Sequence, residues 1–264
     1  MPPLPDLFDR RLRALRRDRA AAIGGDGFLH ERAFDECLDR LAAIARRFER
    51  ALLVGCFGAD WPARLGAFAD VVEVVEPGPR LAAAVGAIPV EEDRVALESQ
   101  AYDFIVAVGS LDTVNDLSRA FAGFAHALRP DSVLIGALAG GNSLPTLRAA
   151  LIEAERATGR VVSRTHPRID APKLAGLLGA AGFTMPVVDV DRVSVRYRDL
   201  SSLVRDLRAM GASSQLAERA PPLGRTTLAA AAAAFETMGI DGRTAEQFDL
   251  LHFLGWSPSG QARR

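Results

Sequence analysis

The chemistry-bearing residues of this chain begin in the stretch ALLVGCFGADWP, residues 51–62. A buried strand that runs through glycines into a helix start is the usual cradle for a nucleotide phosphate or an equally close ligand. Here Gly55 and Gly58 supply the turn, Cys56 and Phe57 lie between them, and Asp60-Trp61-Pro62 reads as a capped helix start. The same residues also make an ordinary strand-to-helix turn. Glu76 closes the run DVVEVVE and is either a solvated strand end or a carboxylate that accepts two hydroxyl donors. Asn115-Asp116 reads first as a helix cap and second as a pair that could orient a substrate. Cys37 and Cys56 form no disulfide framework, and Cys56 reads as a buried small hydrophobe. His30, His126, His166 and His252 are scattered, never at i, i+4, which predicts no metal site. Lys173 is the only lysine, so lysine-based covalent chemistry has almost no candidate.

These residues need elements to hold them. LFDRRLRALRRDRAAA (7–22) predicts a basic helix broken by Gly24, Gly25 and Gly27, and its arginine stripe reads first as a solvated face and second as a lid or a partner-binding arm. Apolar positions 34, 37, 38, 41, 44, 45 and 48 predict a second helix over 28–48. Apolar runs at 51–55, 70–76, 87–92, 102–111 and 132–140 predict buried parallel strands. Helices are predicted over 117–128, with Arg129-Pro130-Asp131 as its stop, over 143–157 with Ser143 as cap, and over 173–183. PVVDVDRVSVRY (186–197) alternates with period two, as an edge or antiparallel strand does. Helices over 199–211 and 225–239 then interrupt the sheet before a last strand at 246–256.

With 264 residues, 49% hydrophobic and 25% charged, the chain predicts one globular α/β domain over 1–264, with helices over 1–48 and a helical insertion over 199–242. A net charge of −1 argues against nucleic acid as the main partner. No apolar run approaches the roughly 18–20 residues of a membrane span. The start lacks the apolar core of a secretory signal, and Asp6, Asp9 and Asp18 count against a transit peptide, so a cytoplasmic protein is expected.

The strand–GCFGA–helix unit, Glu76 and YDFIVAVGSL resemble a class I S-adenosylmethionine-dependent methyltransferase. RRDRAA (16–21), VNDL (114–117), GGNSLPTLR (140–148), DVDRVSVRY (189–197), LVRDLRAMG (203–211) and GWSPSGQ (255–261) resemble one branch, bacterial relatives of the mitochondrial complex I assembly factor that hydroxylates an arginine. That branch is similar to the malonyl-carrier-protein methyltransferase of biotin synthesis. The resemblance implies a Rossmann-like, seven-stranded, mostly parallel sheet with the last strand antiparallel, helices on both faces and an N-terminal helical extension.

It also implies S-adenosylmethionine as cofactor, held by Gly55, Cys56, Phe57, Gly58, Glu76, Glu91, Ser110 and Leu111 at the carboxyl ends of the strands. Glu76 would take the ribose hydroxyls and Glu91 would lie near the adenine. Five residues depart from the family's pattern, and two of them, Asp112 and Thr113 after strand four, stand where the family tends to carry His-Trp at the wall of the acceptor pocket. Leu53 replaces the strand acid, while Phe57 and Ala59 replace two glycines. A ring at 57 has either to fill the cofactor cavity or to rotate into the core. The catalytic residues stay open, as does the oligomeric state, monomer or dimer. The acceptor is a small molecule or a protein, by family analogy a respiratory-complex subunit. The alternatives are a non-catalytic assembly module on the same fold and a protein-arginine hydroxylase.

Overall fold

The computed structural model describes residues 5–24, 27–156 and 162–259. Gly25, the end of the helix predicted to 157, and the last two residues of GWSPSGQ lie outside them. Two helices open the chain, α1 (Arg10–Ile23) and α2 (Phe28–Ile44). They are followed by β1 (Phe48–Val54), α3 (Trp61–Leu65), β2 (Ala69–Glu76), α4 (Pro79–Val85), β3 (Ile88–Pro89), β4 (Tyr102–Val108), α5 (Leu117–Ala127) and β5 (Leu128–Gly140). The second half comprises α6 (Pro145–Arg156), α7 (Ala171–Ala180), β6 (Thr184–Tyr197), α8 (Leu200–Ala209), α9 (Arg225–Thr237) and β7 (Thr244–Trp256).

The strands form one seven-stranded sheet in the order β3-β2-β1-β4-β5-β7-β6. Every pairing from β3 to β5 is parallel, and β7 runs antiparallel to both β5 and β6. This is the mostly parallel, Rossmann-like sheet that the sequence predicts. The alternating strand 184–197 is the outer edge, half-buried in period two because one face meets helices and the other water. Successive residues of the central strands feed opposite faces. Leu53, Val106 and Ile135 pack with α2, α6, α8 and α9, while Leu52, Ile105 and Leu134 pack with α5 and α7. Among the described residues no helix is long and apolar enough to cross a membrane.

Three local expectations are corrected. Arg129-Pro130-Asp131 does not stop a helix before a new strand, because β5 already starts at Leu128. The three residues form an irregularity in the pairing with β4, with Asp131 at φ +56°, a position where a missing N–H costs no ladder bond. Asp60 makes no side-chain cap to α3. Ser143 does not cap α6 either. Its hydroxyl donates to the Gly140 carbonyl at 2.7 Å, while Glu246 on β7 accepts from the Thr146 and Leu147 amides at 3.1 and 2.7 Å. A carboxylate from another strand does the capping, a partner that local sequence cannot show.

Candidate functional site

The cradle after β1 keeps its backbone. Gly55 sits at φ +79°, its amide donates to the Val75 carbonyl at 2.9 Å, and an added Cβ would come within 2.6 Å of the Val108 carbonyl oxygen. Only glycine fits both the dihedral and the approach to β4. Gly58 is equally confined, because the Trp61 indole lies where its Cβ would stand. That indole stacks on Phe34 at 4.2 Å and donates to Glu31 at 2.7 Å. Leu53 is fully buried in the core, so the place of the strand acid is apolar.

Glu76 is fully buried at the carboxyl end of β2. Its carboxylate accepts from the Cys56 amide at 3.0 Å, from the Gly78 amide at 2.9 Å, and from the forked guanidinium of Arg17, with Nη2 at 2.6 Å from Oε2. Along the sequence, only a bound ligand offers Glu76 a reason to be charged and buried. The structure supplies another one, an arginine from α1.

Arg17 does not act alone. Arg10, Arg13 and Arg17 recur at helical spacing and share one face of α1. Arg13 forks onto Glu92 at 2.7 and 2.7 Å and donates to the Ser110 carbonyl at 2.6 Å. Arg10 holds Asp93 at 2.7 and 2.9 Å and Glu91 at 3.0 Å, and Arg17 Nη1 reaches the Gly109 carbonyl at 2.6 Å. The guanidinium of Arg13 is pulled down by burial, but Glu92 more than offsets this and holds it above its ordinary value. Asp93, raised by burial and lowered further by Arg10, ends below the usual carboxylate range.

The solvated arginine face expected for residues 7–22 is thus inverted. Arg13 and Arg17 are 4% exposed, whereas Leu15 is 54% exposed. The physical reason is the ring of acids left by the strand ends, which an apolar helix face could not neutralise. Asp18 adds a fourth tie, accepting from the Arg80 and Leu81 amides at the start of α4 at 2.9 and 3.0 Å. Asn115 clamps the backbone of Phe8 from both sides at 2.8 and 3.0 Å, while its neighbour Asp116 is the cap of α5.

Phe57 joins the same assembly. Its ring stacks on His30 at 4.1 Å, nearly parallel, and the Arg17 guanidinium rests over it at 4.2 Å from the centroid. The ring is the platform for the arginine. Burial, with Arg17 close by, pushes His30 down to about 4, so the ring under Phe57 is neutral. Cys56 is fully buried, its thiol pushed up to about 12 by burial and by Glu76.

Of the residues the resemblance assigns to a cofactor, Gly55, Cys56, Phe57, Gly58, Glu76 and Ser110 are brought together. Ser110 is buried with an unpartnered hydroxyl. Leu111 enters a short helical turn and packs in the core against α5. Glu91 is half-exposed, and its neighbour Glu92 turns inward. Sequence reasoning notes Arg10, Arg13 and Arg17 in the basic stripe but misses that they pair with Glu91, Glu92, Asp93 and Glu76. The spacing of three, then four, was the available signal.

A narrow cleft of about 60 Å³ lies beside Gly109, lined by Arg17, His30, Asp112 and Thr113 among others. Ligand pockets run from roughly 300 to 1,000 Å³. Glu76, to which the resemblance assigns the ribose, has its acceptor positions filled by protein donors, so the site in this conformation does not fit S-adenosylmethionine. Beside it, on the far side of Phe57 and Trp61, lies an open groove of about 1130 Å³. It carries Glu31, Asp35, Glu36, Asp39, Asp189 and Asp191 against Arg32 and Arg40. No group of three His, Cys, Asp or Glu side chains suited to a metal occurs among the described residues.

The family model described as a methyltransferase domain matches residues 27–187. The chain belongs to that family. Relatives of this methyltransferase-domain chain include the mitochondrial arginine-hydroxylase NDUFAF5 of Danio rerio, 30% identical over 96% of this chain and 83% of that protein. The human arginine-hydroxylase NDUFAF5 is 32% identical over 95% of this chain and 77% of its own length. A malonyl-[acyl-carrier protein] O-methyltransferase of Xylella fastidiosa is 36% identical, over 60% of this chain and 53% of that protein. Among solved structures, the YcgJ protein from Bacillus subtilis superposes with a TM-score of 0.59 at 12% identity, covering 86% of this chain and all of that one. At that identity the superposition speaks for the fold, which is the methyltransferase fold.

Proposed function

We propose that this methyltransferase-domain protein works as a protein-binding module whose nucleoside cleft is closed by its own N-terminal helix, and that its open groove takes an arginine-bearing segment of a partner. The observation that carries the first half is the saturated carboxylate of Glu76. Four donors already occupy it, and two of them come from a guanidinium buried with it. A cofactor ribose would have to displace Arg17 and leave a buried cation without its partner, a loss of about 3–5 kcal/mol.

The second half rests on charge. Of the six carboxylates along the groove, Glu31 and Asp35 pair with Arg64, Glu36 and Asp189 with Arg40, and Asp191 with Arg32, which leaves Asp39 exposed with no ion pair among the described residues. His252 lines the same groove, 2% exposed, with neither ring nitrogen hydrogen-bonded among the described residues and Asp191 4.0 Å from its Nε2. A planar guanidinium matches such carboxylates better than an ammonium does. Relatives named arginine-hydroxylases support an arginine-bearing partner.

Calorimetry on the whole chain tests the closed cleft. S-adenosylmethionine and S-adenosylhomocysteine should give no heat at about 1 mM, while micromolar binding would restore the transferase reading. For the groove, an arginine-bearing peptide should bind more tightly than its lysine counterpart. Asp39→Asn with Glu36→Gln should weaken it several-fold, since each exposed pair contributes about 0.2–1 kcal/mol.

A further inference from the structure

Next to the cleft, and bordered by another face of α1, lies a third space of about 320 Å³, half open to solvent and lined by α1, α6, α8 and the segments at 164–168 and 212–214. Its lining contains no acid. Arg16, Arg19, Arg164, Arg168 and Arg208 reach it, and the rest of the wall is largely leucine, with Leu147 and Leu207 buried at its base. Two of these cations are balanced or anchored locally. Arg164 pairs with Glu155 at 2.5 Å, and Arg168 donates to the Ala139 carbonyl at 3.1 Å with Asp112 at 4.0 Å.

Arg16, Arg19 and Arg208 have no such acid among the described residues. Arg16 is the telling one: the residue is half-buried, and its Nε is buried with no hydrogen-bond partner among the described residues. A buried donor without an acceptor is unfavourable, more so when charged, and a charge is normally paired where water is excluded. Burial, then Arg19, Arg208 and Arg219, press the Arg16 guanidinium below its ordinary value. Mutually repelling arginines around an apolar chamber form a complement to a molecule with one anionic end and one aliphatic end.

We propose that this cavity binds a single aliphatic chain carrying a carboxylate or phosphate head, with Arg16, Arg19 and Arg208 holding the head and the leucines of α6 and α8 enclosing the chain. The volume lies at the lower end of the range for small-molecule pockets and suits one chain, not a double-chain lipid. The site borders the closed cleft, with Leu144, Arg168, Leu207 and Ala212 lining both, and shares no lining residue with the acid groove.

The test is calorimetric titration of the full chain with dodecanoate, dodecyl phosphate, dodecanol and dodecyltrimethylammonium, each below its micelle concentration. The two anions should bind at least about tenfold more tightly than the alcohol, because a hydrogen bond to a charged group is worth about 1.5–3 kcal/mol. The ammonium should not bind. Comparing the two anions tells a free carboxylate from a phosphate monoester as the preferred head. Arg16→Gln should lose about tenfold in affinity for either anion, and Arg208→Gln, at an exposed position that leaves the fold intact, a smaller share. Equal binding of alcohol and anions, no binding of either anion, or unchanged affinity in the Arg16→Gln, Arg208→Gln double variant would overturn the proposal.

Discussion

Arg17 and Glu76, 59 residues apart in the chain, form a forked ion pair in which the arginine side chain is 4% exposed and the glutamate side chain not at all. The pair closes the carboxyl end of β2 and fastens α1 across the sheet. The buried residues of α1 are Arg13, Arg17, Asp18 and Ala20, so charge, not apolar area, seats this helix.

Removing one partner of such a pair strands the other. Arg17→Ala should destabilise the chain by about 3–5 kcal/mol. Glu76→Gln in the Arg17→Ala background should cost far less than it does alone. Urea midpoints of the two single variants and the double variant measure this coupling. Additive effects would mean that the pair contributes nothing.

Gly55 and Gly86 both have positive φ, +79° and +67°, but they differ in the room around them. An added Cβ at Gly55 would stand 2.6 Å from a backbone oxygen, whereas nothing lies within 4 Å of one at Gly86. Gly86→Ala should cost about 1–2 kcal/mol, the dihedral strain alone. Gly55→Ala should cost about 2–4 kcal/mol, strain plus overpacking. Thermal unfolding of the two variants checks the order.

His30 and His166 are both held down to about 4, in each case by burial first and then by a nearby arginine, Arg17 and Arg168 respectively. Their folded values lie below the unfolded value of 6.5, so the unfolded chain takes the proton first as the pH falls. Stability from these groups is complete above about pH 6.5 and drains between there and about pH 4, at roughly 1.4 kcal/mol per histidine per pH unit. At pH 5 each should cost about 2 kcal/mol. His30→Gln should remove its share of the slope in urea titrations between pH 7.5 and 5.

Cys37 and Cys56 are free, fully buried and pushed up to about 12, chiefly by burial. Thiolate is the reactive form. The folded chain should therefore resist an aromatic disulfide reagent at pH 8, and both thiols should react once it is denatured. Rapid labelling of the native chain at Cys56 would mean that the turn after β1 opens readily.

Much of the fold was legible from local pattern. The buried runs at Ala51–Val54 and Tyr102–Val108 and the alternating run before Tyr197 announce central and edge strands, because burial on two faces or on one imposes a different side-chain period. Asp116 as a cap is equally local, since it serves an amide three residues on. The cap of α6 by Glu246 lies 99 residues away and leaves no local trace.

The sequence alone determined the layered α/β sheet, the glycine turn at Gly55 and the carboxylate at Glu76, each of which follows from short-range sterics or from the period of apolar residues. Only the tertiary structure decided what Glu76 binds. Whether an arginine face meets water or a ring of buried acids depends on which strand ends lie beneath it, and that is a matter of distance in space, invisible along the chain.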